Sequence, residues 1–170
     1  MAFRFSPFSA ARLVSTAQEQ VKLGQAITEV SLAEFNLIAE PSGTGFPAGS
    51  GTAQQGRTIF KNRCAACHGS KGEGNSDATA LVGGNMRSAE TPLRTVGSYW
   101  PYASTVFDFI RRAMPANAPK SLTDEETYQV AAYVLYLNGL VAEDEIMNAQ
   151  TLPQVRMPNA EGFIDRSHIQ

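Results

Sequence analysis

Thr52-Ala-Gln-Gln55-Gly56-Arg-Thr-Ile-Phe60-Lys-Asn-Arg-Cys64-Ala65-Ala66-Cys67-His68-Gly69 is the stretch from which the rest of the chain can be read. Its last part, Cys-x-x-Cys-His, is the attachment signature of a c-type haem. Two thiols three positions apart sit on about one helical turn, so both can reach the vinyl groups of one porphyrin and form thioethers. The histidine that follows is carried under the iron, which its imidazole can bind. Two other chemistries use Cys-x-x-Cys: a redox-active pair and half of a zinc site. Zinc wants further ligands nearby, and the second histidine, His168, lies at the far end of the chain. A redox pair needs no histidine there and usually follows a strand.

Upstream, Thr52 and Gln55 have the spacing of a capping box that opens a helix. Gly56, Phe60 and Cys64 follow at i, i+4 and i+8, on one face. Gly56 weakens a helix by about 1 kcal/mol against alanine. A close crossing with a second helix explains it. Downstream, residues 69–97 are glycine-rich and lack periodicity. A segment of this length is read as a loop wrapped around the cofactor.

Val106, Phe109, Ile110 and Ala113 then give an amphipathic stripe in a helix expected to start at Ser104 or Thr105. Arg111 and Arg112 fall in its last turn, and Pro115 ends it. Thr123 and Glu126 form a further capping box. The helix they open runs to Leu137 and closes at Asn138-Gly139. Tyr133 and its neighbours are placed to meet Gly56 and Phe60.

An electron carrier usually supplies two protein ligands to its iron, and His/Met pairing raises the potential. Four methionines follow the motif: Met86, Met114, Met147 and Met157. Met114 is favoured because it ends an amphipathic helix and precedes Pro115, which stiffens the backbone. Met86 and Met157 stay open as alternatives, and any methionine can simply fill a core. The second ring nitrogen of His68 is expected to donate to a backbone carbonyl between Ala78 and Leu81. Tyr99 and Trp100 are candidates to hydrogen-bond a haem propionate, with core or interface packing as the competing role. Arg94, Arg111 and Arg112 are candidates for propionate binding or a docking patch, with plain solvation as the competing role.

Lys and Arg number 14 against 16 Asp and Glu, so no basic face for nucleic acid is expected. Both cysteines lie in the motif, leaving no disulfide and no second covalent haem. No apolar run is long enough to span a bilayer. Residues 1–20 lack the continuous apolar core of a secretory signal. Haem is attached to such motifs outside the bacterial cytoplasm, so a periplasmic location is expected all the same. Residues 1–51 read as an arm, with a helical piece over 17–30 interrupted at Gly24 and a capping box at Ser31 and Glu34. The arm ends in the turn-rich loop 41–51, where Phe46 and Pro47 suggest packing. Residues 52–140 read as the haem domain. Residues 141–170 read as a tail too polar for a core, lying along the domain or docking a partner.

The order helix, Cys-x-x-Cys-His-Gly, loop, Met-Pro, capped helix resembles the class I cytochrome c family over Thr52–Leu140. The resemblance implies an all-α fold, here with an N-terminal arm and a C-terminal tail, and matches Phe60 with Tyr133 or Tyr136 to its helix crossing. A narrower resemblance rests on Val96-Gly-Ser-Tyr99-Trp100-Pro-Tyr-Ala-Ser-Thr-Val-Phe-Asp-Phe-Ile-Arg-Arg-Ala-Met114-Pro115, on the loop 43–51, and on Pro153-Gln-Val-Arg-Met157-Pro-Asn-Ala-Glu-Gly-Phe163. These are similar to the cytochrome subunits of sulfane and sulfite dehydrogenases of bacterial Sox sulfur oxidation. That resemblance implies an electron-transfer subunit rather than a catalyst by itself. It would accept electrons from a molybdenum-cofactor subunit and pass them to another c-type cytochrome. Some members carry two haems; the single motif here departs from them and leaves the exit route open. The alternatives are a stand-alone periplasmic carrier and a haem enzyme with an exchangeable sixth ligand.

Overall fold

The computed structural model describes residues 24–33, 35–76, 78–87 and 91–164. Its elements run α1 (Glu29–Ala33), β1 (Ser50–Gly51), α2 (Ala53–Arg63), α3 (Ala65–His68), α4 (Ala103–Ala113), α5 (Asp124–Leu137), β2 (Met147–Asn148) and a 3-10 turn at Leu152–Gln154.

Both major helices start where local chemistry dictates. Thr52 Oγ1 accepts the Gln55 amide at 3.3 Å, and Gln55 Oε1 accepts the Thr52 amide at 2.9 Å. Thr123 and Glu126 repeat the arrangement at 3.1 and 2.8 Å. Each box satisfies two amides that a helix start otherwise leaves unpaired, worth about 1 kcal/mol. Helix α5 ends with Gly139 at φ 68°. There the Leu140 amide donates to Leu135 O (3.1 Å) and the Gly139 amide to Tyr136 O (2.8 Å), a Schellman closure.

Helices α2 and α5 cross at Gly56. A Cβ placed there would lie 2.5 Å from the Gln129 carbonyl carbon and 3.0 Å from Tyr133 Cβ, so the backbones approach as only glycine allows. Phe60 sits beside the crossing, buried, with its ring 5.2 Å from that of Tyr133. Tyr128, Ala131, Ala132 and Leu135 line the buried side of α5.

Several expectations are corrected. Helix α4 begins at Ala103, with Tyr102 as a cap in extended conformation that makes no side-chain bond. Its buried stripe contains Phe107, not Phe109, which is exposed. Phe107 packs on Tyr128 at 4.4 Å and on Phe46 at 5.1 Å, so the core side of α4 is rotated by about half a turn from Phe109. The arm helix is the short α1, with no buried residue. Thr28 Oγ1 accepts the Ser31 amide (3.2 Å), so Ser31 lies inside the helix and does not cap it. Residues 1–23 and Glu34 lie outside the described residues.

The loop 41–51 packs as its aromatic suggests: Phe46 joins the core and Pro47 O accepts the Tyr128 hydroxyl at 2.9 Å. The tail is the larger correction. Val141, Met147, Leu152 and Met157 are buried in the same cluster as Phe60 and Phe107. Strand β2 pairs antiparallel with β1, Ser50 opposite Asn148 and Gly51 opposite Met147. Widely spaced single apolar residues between turns anchor this segment, and they leave no helical or strand period to read.

Candidate haem site

Helix α2 delivers the motif. It stops at Cys64 (φ −121°, ψ −37°), whose amide still donates to Phe60 O at 2.9 Å. The Cys64 carbonyl accepts the Cys67 and His68 amides at 3.2 and 2.9 Å, which winds Ala65–His68 into a single turn. Cys64 is half-buried and Cys67 exposed. Burial, with a smaller push from Cys67 and an opposing pull from Arg63, raises the Cys64 thiol to about 11. Burial acts here in the opposite sense to a redox-active pair, whose attacking cysteine is held low. No group of three or more His, Cys, Asp or Glu side chains fit for a metal ion occurs among the described residues.

His68 closes the turn, and Gly69, at φ 80°, reverses the chain. His68 Nδ1 lies 3.3 Å from Thr79 O. A carbonyl only accepts, so Nδ1 carries the proton and Nε2 keeps a free lone pair for a metal. Thr79 falls within the expected span Ala78–Leu81. Beyond Gly69 the Glu73 carboxylate accepts the Lys71 amide at 2.7 Å, and backbone amides hold its carboxyl below the usual range.

The methionines separate by environment. Met147 and Met157 are fully buried in the core. Met86 lines a cleft of about 1100 Å³ between the loop and the tail, together with Arg87, Tyr99 and Phe163. Met114 is half-buried, packed on the core at the end of α4, its backbone extended and its amide donating to Ile110 O at 3.1 Å. The Met114–Pro115 bond is cis.

Tyr99 and Trp100 go to different neighbours. Tyr99 meets Phe163 edge-on at 5.2 Å, lies under the Arg94 guanidinium at 5.1 Å, and accepts the Asn159 side chain on its carbonyl at 2.7 Å. Trp100 packs on the core and meets exposed Phe109 edge-on at 5.7 Å. Arg111 and Arg112 are neither loose charges nor a patch. Arg111 Nε bonds Asp124 Oδ1 at 2.8 Å and the Arg111 guanidinium donates to Leu37 O at 3.3 Å. Arg112 pairs with Asp108, which also accepts the Ala39 amide at 3.0 Å. This buried Asp108 node, missed in the sequence, has one legible sign: the i, i+4 spacing to Arg112.

Residues 51–134 match the family described as cytochrome c oxidase, cbb3-type, subunit III. The chain is similar to thiosulfate dehydrogenase of Allochromatium vinosum, 29% identical over an alignment of 127 residues, with 72% of this chain and 41% of that protein covered. It is also similar to thiosulfate dehydrogenase of Psychrobacter arcticus, 29% identical over 106 residues, 57% of this chain and 31% of that one. The chain thus spans about two fifths or less of the curated relatives it matches. It also superposes on a chain in the crystal structure of the sulfane dehydrogenase SoxCD from Paracoccus pantotrophus. There the TM-score is 0.79 and the identity 36%, covering 89% of this chain and 75% of that one. With that identity over that coverage, and with Cys64 and Cys67 spaced for thioether attachment, the chain belongs to the c-type cytochromes, all-α in fold and carrying covalently bound haem c.

Proposed function

We propose that the protein is a monohaem electron-transfer subunit that accepts single electrons from a molybdenum-containing sulfur or sulfite dehydrogenase subunit. It passes them to a second c-type cytochrome in the periplasm. The observation that carries this reading is the likeness to the SoxCD chain, which covers 89% of this chain and so reaches beyond residues 51–134 into both flanks.

Bound haem supplies a one-electron iron couple. His68 Nε2 and the Met114 sulfur would hold the iron. The Thr79 carbonyl fixes the tautomer and orientation of the first. The end of α4 presents the second, a soft neutral donor that favours ferrous iron. With His68 and Met114 both committed to the iron, no site would be left there for substrate, and substrate oxidation would belong to the partner. Tyr99 and Trp100 lie on the loop leading into α4, from which their polar tips would be offered to a haem propionate.

Docking falls to the flanks. The arm exposes Ile27, Val30, Phe35 and Ile38, while its base is pinned through Leu37 O to Arg111 and through the Ala39 amide to Asp108. An apolar segment presented from a fixed base suits a partner's surface. No helix among the described residues is long and apolar enough to cross a membrane.

The similarity to thiosulfate dehydrogenases favours a second reading, catalysis at the chain's own haem. It would use an exchangeable sixth ligand, and the chain has no cysteine outside the motif to act as one. Isolation of the native protein distinguishes the two. The first reading expects a co-isolated molybdenum subunit and reduction of the haem by sulfite or a sulfane compound only when that subunit is present. Reduction of the isolated chain by thiosulfate, with no molybdenum bound, would overturn it.

A further inference from the structure

We propose that Asn75 is a positioning residue for the His68 imidazole, holding the Thr79 carbonyl on Nδ1; the inference rests on His68 being an iron ligand. Hydrogen bonds leave His68 and return to it. The Gly74 amide donates to the His68 carbonyl at 2.7 Å. The next residue, Asn75, donates from its amide to Ala78 O (3.0 Å) and accepts the Ala78 amide on Oδ1 (3.2 Å). Its Nδ2 donates to Ala66 O (2.9 Å), inside the Cys-x-x-Cys turn. One residue past Ala78, Thr79 O receives His68 Nδ1 at 3.3 Å. A single side chain therefore ties the segment bearing the acceptor carbonyl to the turn bearing the imidazole.

Gly74 makes the closeness possible. At φ 79°, its missing Cβ would lie 2.6 Å from Ala80 N and 2.9 Å from Ala78 O. The far side of the segment is held independently. The Leu81 amide donates to Gly72 O at 2.8 Å, and Asn138 Nδ2 donates to Leu81 O at 3.2 Å. Loss of the Asn75 tie should loosen the acceptor without releasing the loop.

The His68 bond is already long, and about 0.3 Å more takes it out of useful range. Its effect on the metal has a definite sign. A carbonyl that draws on Nδ1–H makes the imidazole a stronger donor, which favours ferric iron. Slackening that bond moves the reduction potential upward.

The test uses the ferric holoprotein and two neutral variants. Asn75→Ala removes every side-chain bond. Asn75→Ser keeps a short hydroxyl that can accept the Ala78 amide in a turn but does not reach Ala66 O. Proton NMR first locates the His68 ring protons in the unmodified protein. Shifts outside the diamagnetic range support iron ligation; shifts within it would sink the ligand assignment, independently of what Asn75 does. Both variants are expected to retain haem, to exchange the His68 Nδ1 proton with solvent faster, and to have a higher potential. A purely structural role for Asn75 would lower the melting temperature and leave exchange and potential at their original values. That result in either folded variant overturns the proposal.

Discussion

Gly56→Ala sets helix propensity against packing, and the structure decides the sign. On propensity alone the change should help by about 1 kcal/mol, because alanine loses less backbone freedom in a helix. The crossing reverses this. The new methyl would stand 2.5 Å from the Gln129 carbonyl carbon, where ordinary contact begins near 3.5 Å. Relief requires α2 and α5 to separate by about 1 Å, and the obstacle is helix backbone, which cannot rotate away. Overpacking of this kind costs about 3 kcal/mol, the upper part of its usual range. The net loss is about 2 kcal/mol, which lowers the melting temperature of a domain this size by roughly 4–8 °C. Thermal and urea unfolding of the holoprotein, followed by far-ultraviolet circular dichroism, would measure it. A variant as stable as the parent, or more so, would refute the claim that the backbones meet at this residue.

Met114→Ala should abolish the sulfur-to-ferric-iron absorption band and lower the potential; an unchanged spectrum would reassign the sixth ligand. Leu152→Ala should cost about 2–5 kcal/mol in urea unfolding, since the side chain is fully buried, whereas a dispensable tail would lose under 0.5. Tyr128→Phe should remove about 1 kcal/mol at neutral pH with the bond to Pro47 O. It should also change the alkaline limb. Burial first, then the nearby Asp124 charge, with Arg111 partly opposing, lifts the phenol to about 12 from an ordinary value near 10. The folded state therefore holds this proton more tightly than the unfolded one. That stabilisation is intact below about pH 10 and is lost as pH rises toward 12. The gap between the two proteins should narrow across that window, and a constant gap would refute the shift.

What could be read in advance was local or periodic. Thr52 with Gln55, Thr123 with Glu126, and Asn138-Gly139 are signals carried within four residues, and each marks its helix end. Gly56 was legible as a crossing because a glycine inside a good helix needs a reason. Phe109 misled because the buried pair Val106 and Ile110 can be extended into an apolar face by Phe109 on one side or by Phe107 on the other; only the position of Phe46 and Tyr128 decides which one is inside. The tail misled because Met147, Leu152 and Met157 are single apolar anchors separated by turns, and their burial depends on partners far away in sequence. In the candidate site, the motif residues were legible by type and spacing. The Thr79 carbonyl could be located only to within a few residues, since backbone acceptors carry no side-chain signature. The Asn75 tie to Ala66 was invisible for the same reason.

The short ladder between Ser50–Gly51 and Met147–Asn148 bears on the order in which the protein is built. Its two rungs lie almost a hundred positions apart, so a ribosome has released everything from the Cys64–His68 turn to helix α5 before the second rung exists. Until Met157 follows, the nascent polypeptide carries an open seam where Met147, Leu152 and Met157 will sit. Maturation is therefore expected to finish from the carboxyl end, with premature termination after Leu140 leaving a species prone to proteolysis.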